Sequence, residues 1–346
     1  MSAPPAFAAP ARRVPRRRRA GLAFAAILLA WLAPTIVSAQ VLVVLSDESS
    51  GYQAVVAELR TGLHGLRDGE LRLDNIIAAR LADVDAATFS RYELVVSVGL
   101  AAAQAVASRG AATALPPTLC LLIPRQGFDR LALPRDNAGE RRVTAVFIDQ
   151  PLSRQLDLLR LALPESHRVG VILGPSSTAL GDELRAGAKA RSLDVATATV
   201  GERSALYPAL QTLLPRSDLL LLLPDPVAIN ADTLYGLLLA SYRARVPVVG
   251  FSEGLLKAGS LVALFSTPQQ QGAQGAEIAR RALAHDGGLP APQYPREFTV
   301  RVNASVARSL GLRVPDEQEL QAALGARHGE GDATREAGGA THGGPP

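Results

Sequence analysis

The chain is poor in the residue types that form cross-links and metal sites. Its 346 residues include a single cysteine, Cys120, and aromatic residues make up 4% of the composition. One cysteine excludes a disulfide framework and a thiolate zinc site. The histidines have no spacing typical of paired metal ligands, and no phosphate-binding loop or dinucleotide glycine fingerprint is present. We therefore expect no metal and no cofactor, and we expect Cys120 to be a buried hydrophobic residue.

The folded part of the chain also lacks an excess of positive charge. The formal net charge is +4, but six arginines and no acidic residue lie in residues 1–39, and the remaining residues include 30 basic and 32 acidic ones. A nucleic-acid-binding surface requires a basic patch on the folded domain. We therefore expect no nucleic-acid partner.

Residues 1–39 have the three regions of an export signal. Arginines between Arg12 and Arg19 precede an apolar stretch at 20–34, and the string VSA at 37–39 places small residues where a signal peptidase cleaves. The alternative is a retained membrane anchor, but this stretch is shorter than the about 20 residues needed to span a bilayer. No cysteine lies near the cleavage site, which excludes a lipid anchor. We predict a signal peptide that is cleaved after Ala39 and a periplasmic protein.

From residue 40 onward, apolar runs of strand length alternate with segments of helical period. Runs at 41–45, 94–98 and 143–148 predict strands that are covered on both faces. The alternation restarts at 168–173 and continues to 246–251. This order predicts an α/β fold with parallel sheets in two similar halves, joined by a short crossover.

The residues after 263 are too few to form a third core. A strand at 261–265, a helix at 268–285, a strand at 298–302 and short helices follow in the sequence, so we expect them to return to the two halves. Residues 325–346 contain almost no apolar side chains, which predicts a disordered tail.

Several strings, taken in order, resemble a known family. They lie at 92–103 (YELVVSVGLAAA), 143–148 (VTAVFI), 163–172 (LPESHRVGVI), 246–254 (VPVVGFSEG) and 302–312 (VNASVARSLGL). As an ordered set they are similar to the ABC-transporter substrate-binding proteins of the subfamily that includes tryptophan and tyrosine binders. The similarity covers about 90–315, with a looser fit from residue 41.

The resemblance implies a type I periplasmic-binding-protein architecture with two Rossmann-like lobes and a three-segment hinge. It assigns 40–147 with 264–288 to lobe I, and 148–263 with 289–324 to lobe II. It also implies a small-molecule ligand, such as an amino acid, held between the lobes, and an ABC transporter permease in the inner membrane as partner. The alternative is a sensor or accessory protein of the same fold that works with a receptor and not in transport.

Candidate ligand contacts follow the predicted strands, because ligands bind outside the carboxyl ends of parallel strands. Asp225 or Glu253 could accept an amino group, while free N–H groups at a helix start could hold an acid group. The serines also suit ordinary helix caps, and Asp225 suits a turn. Family members often carry a threonine where this chain has Leu100. The candidates are Ser46, Tyr52, Gly99, Leu100, Ala101, Ser176, Ser177, Asp225, Ser252 and Glu253.

The string at 250–254 fits the Gly-x-Ser-x-Gly pattern of a hydrolase nucleophile. A hydrolase of this type also needs an aspartate and then a histidine later in the chain. No aspartate occurs between Ser252 and His285, and the later histidines lie in the predicted tail. We therefore expect a binding protein that is not an enzyme.

Overall fold

The computed structural model describes residues 40–66, 71–110, 114–133, 136–137, 140–284 and 288–328. The predicted signal peptide lies outside these residues, as does the predicted tail from 329 onward. Within the described residues, no helix is long and apolar enough to cross a membrane.

The first sheet consists of five parallel strands in the order β2-β1-β3-β4-β7. Every residue of the strands β3, β4 and β7 is buried, as expected where helices cover both faces of a sheet. The two short strands β5 and β6 pair with each other as a separate antiparallel ribbon. The bounds are β1 Gln40–Leu45, β2 Arg72–Ile77, β3 Leu94–Val98, β4 Thr118–Ile123, β5 Asp136–Asn137, β6 Glu140–Arg141 and β7 Val143–Phe147.

Helices pack on both faces of this sheet. Helix α3 covers one face through Ala103 and Val106, and α1 covers the other through Val55 and Leu59. Cys120 is buried in this core, and burial raises the pKa of its thiol to about 12. The bounds are α1 Ser50–Leu63, α2 Ala86–Phe89, α3 Leu100–Gly110 and α4 Arg125–Asp129, with a 3-10 helix at Ala78–Asp83.

The second sheet has six strands in the order β13-β12-β11-β10-β8-β9. All neighbouring pairs are parallel except β12 with β13, which is antiparallel. The bounds are β8 Arg168–Leu173, β9 Asp194–Thr199, β10 Leu219–Leu221, β11 Val248–Gly250, β12 Val262–Phe265 and β13 Thr299–Val302.

Helices also cover both faces of the second sheet. One layer packs through Leu156, Leu184 and Leu320, and the other through Leu210 and Leu237. The bounds are α5 Leu152–Ala162, α6 Gly181–Lys189, α7 Leu206–Leu213, α8 Ala231–Arg243, α9 Glu253–Ala258, α10 Pro268–Leu283, α11 Ala304–Leu310 and α12 Glu317–Arg327. Short 3-10 helices lie at Thr178–Leu180, Arg203–Ala205 and Leu214–Arg216.

Helix α10 returns to the first lobe, where it packs along α1. Its start is well defined, because Thr267 forms a capping box with Gln270 and Pro268 occupies the first turn. The two sheets with their helices match the predicted α/β fold of two lobes.

The third passage between the lobes lies later in the chain than the predicted boundary at residue 288. Leu289 belongs to the core of lobe I, and Gln293 pairs with the edge of the first sheet. The Phe147 N–H donates to the Gln293 carbonyl at 3.0 Å, and the Gln293 N–H donates to the Ala145 carbonyl at 2.9 Å. These bonds satisfy edge groups that would otherwise be unpaired, so the segment stays with lobe I until residue 294.

The second passage also differs from the prediction, which began the returning segment at residue 264. Strand β12, which ends at Phe265, belongs to the second sheet, so the chain leaves lobe II after it. The lobes are therefore joined by three short crossovers at 148–151, 266–267 and 295–298.

The final helix continues past the predicted start of the tail at residue 325. Helix α12 ends at Arg327, and His328 is buried. Arg327 and His328 both contact the carboxylate of Asp157 on α5, with His328 Nε2 at 2.8 Å from Asp157 Oδ2. These contacts hold the end of the helix on lobe II, although its sequence is poor in apolar residues.

Candidate functional site

A cavity of about 410 Å³ lies between the lobes at the carboxyl ends of strands from both sheets. This volume is within the range of small-molecule binding sites. Lobe I and the first crossover provide Leu100, Pro124, Arg125, Gln126, Gly127, Arg130, Asp149, Gln150 and Tyr294. The later part of the chain provides Leu152, Gln155, Ser176, Leu180, Leu223, Pro224, Asp225, Pro226, Ile229 and Phe251.

Arg125 is the first residue of α4, directly after β4 and Pro124. Its Nη1 donates to the hydroxyl of Tyr294 at 2.7 Å, and its guanidinium carbon lies 5.7 Å from the centre of that ring. Burial raises the pKa of Tyr294 to about 12, so the phenol stays neutral. Tyr294 thus orients the guanidinium while the cation keeps its charge at the cavity wall.

Asp149 stands beside Arg125, because it lies two residues after the end of the neighbouring strand β7. Its Oδ2 accepts the backbone N–H of Arg125 at 2.6 Å. The residue keeps part of its surface exposed, yet burial by its neighbours raises the pKa of its carboxyl. The N–H donors and the Arg125 charge oppose that rise. The cavity therefore has a cation and a titratable acid side by side on the lobe I wall.

Asp225 lines the opposite wall and is 2% exposed. Its Oδ2 accepts from the Ser176 N–H at 2.9 Å and the Ser177 hydroxyl at 3.0 Å. Its Oδ1 accepts from the N–H groups of Val227 and Ala228 at 3.0 and 3.3 Å. Four donors occupy the acceptor positions of one carboxylate. Asp225 therefore ties the loop after β8 to the loop after β10.

The rest of the lobe II wall is mainly apolar. Leu180, Leu223, Ile229 and Phe251 face the cavity there, together with two prolines. Burial of hydrocarbon against such a wall contributes about 25 cal/mol per Å² of apolar surface removed from water. This wall can hold the apolar part of a ligand.

Arg130 connects the two lobes across the cavity. Its Nη1 donates to the Ser176 hydroxyl and its Nη2 to the Pro175 carbonyl, both at 3.3 Å. Arg130 is exposed, so water competes for both of these contacts.

Of the ten residues predicted from the sequence, the structure brings three to the cavity: Leu100, Ser176 and Asp225. Ser177 lies behind Asp225 and is fully buried. Ala101 is exposed in the first turn of α3 and is not among the lining residues.

Ser46, Tyr52 and Gly99 form a cluster inside lobe I and do not line the cavity. The Ser46 hydroxyl donates to the Val98 carbonyl and accepts the Ala102 N–H, both at 3.0 Å. Gly99 has φ +88°, and a Cβ there would lie 2.5 Å from Ser46 Oγ and 2.8 Å from the Tyr52 hydroxyl. These residues shape the turn from β3 into α3.

Ser252 and Glu253 begin α9 and also lie outside the cavity lining. Ser252 caps the helix by accepting the Leu255 N–H at 3.2 Å. The exposed Glu253 pairs with Lys257 at 2.8 Å, one turn later. The neighbouring Phe251 reaches the cavity in their place.

Sequence reasoning missed Arg125, Asp149 and Tyr294. The rule that directs attention to strand ends applies to β4 and β7 as well, and it would have found Arg125 and Asp149. Tyr294 has no such local signal, because it comes from the segment that returns to lobe I. Among the described residues, no group of three or more His, Cys, Asp or Glu side chains could hold a metal ion.

Several solved structures resemble this chain in fold. An L-Trp complex of an ABC domain from Streptococcus pneumoniae is 17% identical, covers 80% of this chain and 96% of its own, and has a TM-score of 0.58. A ligand-free, open substrate-binding protein with adhesive properties from Clostridium difficile is 17% identical, covers 81% and 97%, and has a TM-score of 0.64.

A periplasmic ribose ABC transporter protein from Conexibacter woesei is 11% identical, covers 82% of this chain and 98% of its own, and has a TM-score of 0.51. These likenesses establish the two-lobed fold. A comparison with curated protein sequences gives no match. The family model described as ABC transporter substrate binding protein matches residues 74–324. The chain therefore belongs to the ABC transporter substrate-binding protein family.

Proposed function

We propose that this chain is a periplasmic solute-binding protein that captures an amino acid or a similar small solute between its lobes. It delivers this solute to an ABC transporter permease in the inner membrane and carries out no reaction on it. The observation that supports this most directly is the cavity, in which Arg125 and Asp149 face an apolar wall. Membership of the family supports the transporter partner, and the export signal predicted at 1–39 supports the location.

The charges of the lobe I wall suit a zwitterion. The Arg125 guanidinium can donate charge-assisted hydrogen bonds to a carboxylate, and the ionised Asp149 can accept hydrogen bonds from an ammonium group. The side chain of such a ligand would then point to Leu223, Ile229 and Phe251. The L-Trp in the Streptococcus protein belongs to this chemical class.

Closure of the lobes supports capture and release. The Arg130 contacts with Ser176 and Pro175 need the two walls to be close together. A ligand that contacts both walls would favour this state, and the permease would recognise the closed form.

A thermal-shift screen tests the binding proposal. The full chain is expressed with its own predicted export signal and purified. The protein is then mixed with each of the twenty L-amino acids and, for contrast, with ribose. We expect an apolar amino acid to raise the melting temperature, since a ligand at 100 times its Kd stabilises the native state by about 2.7 kcal/mol. A shift with ribose and with no amino acid would contradict the proposed ligand class.

Transport is tested separately. Uptake of the radiolabelled amino acid found in the screen is measured in the source bacterium with and without this gene. Loss of high-affinity uptake in the deletion strain, restored by the gene, supports delivery to a permease. Normal uptake in the deletion strain would contradict it.

A further inference from the structure

A charged side chain is buried at the junction of the three crossovers. Arg154, in the first turn of α5, is 1% exposed. Its Nη1 donates to Gln150 Oε1 at 2.7 Å and to the Pro295 carbonyl at 3.0 Å, and its guanidinium carbon lies 4.6 Å from the centre of the Phe298 ring. Burial of a guanidinium is costly unless hydrogen bonds and stacking compensate it.

The amide of Gln150 extends these contacts to the remaining crossover. Its Nε2 donates to the Ser266 hydroxyl at 2.8 Å, and that hydroxyl donates to the Glu297 carbonyl at 2.5 Å. Gln150 lies in the first crossover, Ser266 in the second, and Glu297 in the third. One connected set of hydrogen bonds therefore joins all three crossovers, and we name Arg154, Gln150 and Ser266 the hinge network.

The hinge network also reaches the cavity. Gln150 lines it directly after Asp149, and its backbone carbonyl accepts from the Nε2 of Gln155, another lining residue, at 2.8 Å. A change in the position of Gln150 therefore alters both the cavity wall and the connections between crossovers.

We propose that Arg154 is a positioning residue that sets the angle between the lobes by fixing Gln150 and, through it, Ser266. Arg154 does not contact the ligand. It holds the hinge in the conformation described here, in which the cavity walls face each other. The role of this angle in capture rests on the proposed function, but the effect of the hinge network on the angle does not depend on any ligand.

Inter-lobe distances in the ligand-free protein test this proposal. Spin labels are attached at Gln104→Cys on α3 and Gln211→Cys on α7, two exposed positions on different lobes. The native Cys120 is buried and stays unlabelled. A second pair, Gln211→Cys with Ala304→Cys, lies within lobe II and reports any damage to that lobe.

Two variants perturb the network, and a third serves as the matched control. Arg154→Met removes the charge and the donors, and Ser266→Ala removes one hydroxyl with little change in volume. Arg191→Met breaks the ion pair in which Arg191 Nη2 lies 2.8 Å from Asp157 Oδ2, and none of these residues lines the cavity. This control loses a partly buried arginine contact of lobe II and leaves the three crossovers unchanged.

We expect both network variants to move population to inter-lobe distances that are rare in the unmodified protein, with the pair inside lobe II unchanged. Loss of one hydrogen bond should change the ratio of molecules with the rare inter-lobe distances to molecules with the common ones roughly tenfold, equivalent to about 1.4 kcal/mol. Arg191→Met should lower the melting temperature and leave the inter-lobe distribution as it is.

An unchanged inter-lobe distribution in Ser266→Ala would overturn the proposal, and this variant decides the matter if Arg154→Met does not fold. An equal change in Arg191→Met would also overturn it, since the effect would then follow general destabilisation. If the amino-acid screen fails while these distances change, the ligand proposal is wrong and the hinge inference stands.

Discussion

Asp149 and Asp225 both follow a buried strand and both line the same cavity, but their carboxylates have different surroundings. Asp225 accepts four hydrogen bonds from lobe II, two from the loop after β8 and two from its own loop. Asp149 accepts the Arg125 N–H, and burial raises the pKa of its carboxyl. The same residue type after a buried strand thus stabilises two loops in one lobe and offers a charge to the cavity in the other.

Removal of Arg125 tests the lobe I wall most severely. If this wall binds the charged end of an amino acid, Arg125→Ala should weaken binding at least about 30-fold, because truncation of one partner of a charge pair shielded from water costs about 2–5 kcal/mol. Calorimetry with the amino acid found in the screen measures this. Arg185→Ala, on the outside of lobe II, is the control, and equal affinity in both variants would contradict the assignment.

Removal of the Asp225 carboxylate tests whether this residue of the lobe II wall stabilises the folded protein. Asp225→Asn replaces an acceptor oxygen by a donor group facing two N–H donors, so the free energy of unfolding should fall by about 2–4 kcal/mol. Urea denaturation gives this value. The exposed Asp182→Asn should change it by less than about 0.5 kcal/mol. A stable Asp225→Asn protein with strongly reduced affinity would instead assign Asp225 to the ligand.

A third aspartate, Asp218, provides a comparison far from the cavity. Hydrogen bonds from the Arg168 side chain and from the N–H groups of Arg168 and His167 hold the pKa of Asp218 at about 2, below its ordinary value of 3.8. A lowered native pKa means that the stabilisation is present above pH 3.8 and is lost as the pH falls through 2.

Asp218→Asn should therefore destabilise the protein at pH 7 by only about 1 kcal/mol, since the pair is partly exposed to solvent. The difference from the unmodified protein should shrink as the pH falls towards 2. Urea denaturation across this range measures it, and a difference that grows with acidification would contradict the assignment.

Asp149 should show the opposite dependence on pH. Its native pKa is raised, so the folded state binds the proton more tightly than the unfolded state. Protonation should therefore stabilise the protein as the pH falls from the raised pKa towards the ordinary value of 3.8. Asp149→Asn should remove this gain. A pH profile of stability that is the same with and without Asp149 would show that its carboxyl titrates normally.

The smallest effects are expected at predicted site residues that the structure places elsewhere. Glu253→Gln removes an exposed ion pair with Lys257 and should leave affinity unchanged within about twofold. Tyr52→Phe removes a hydroxyl from the cluster inside lobe I and should likewise preserve affinity. Calorimetry beside Arg125→Ala tests both, and a large loss in either variant would extend the binding site beyond the cavity described here.

The fold could be predicted in outline because its signals are local. Continuous apolar runs such as those of β3, β4 and β7 indicate strands covered on both faces, and their alternation with helical segments indicates parallel sheets. The site could be predicted only as a set of strand ends. Whether a side chain at such an end faces the cavity depends on the turn after it. The Ser46 hydroxyl bonds to the backbone of lobe I instead, and Tyr52 packs against the core of that lobe.

The amino-acid sequence by itself determined the main order of strands and helices and the existence of two α/β halves. These features depend on apolar patterns within short stretches of neighbouring residues. Only the tertiary structure decided where the chain crosses between the lobes and which charged side chains can reach a ligand in the cavity. Gln293 joins the first sheet at the edge of β7, Tyr294 meets Arg125 across 169 residues, and Arg154 bonds to Pro295 across 141. Such contacts have no local pattern, since they form only when distant segments pack around one cavity.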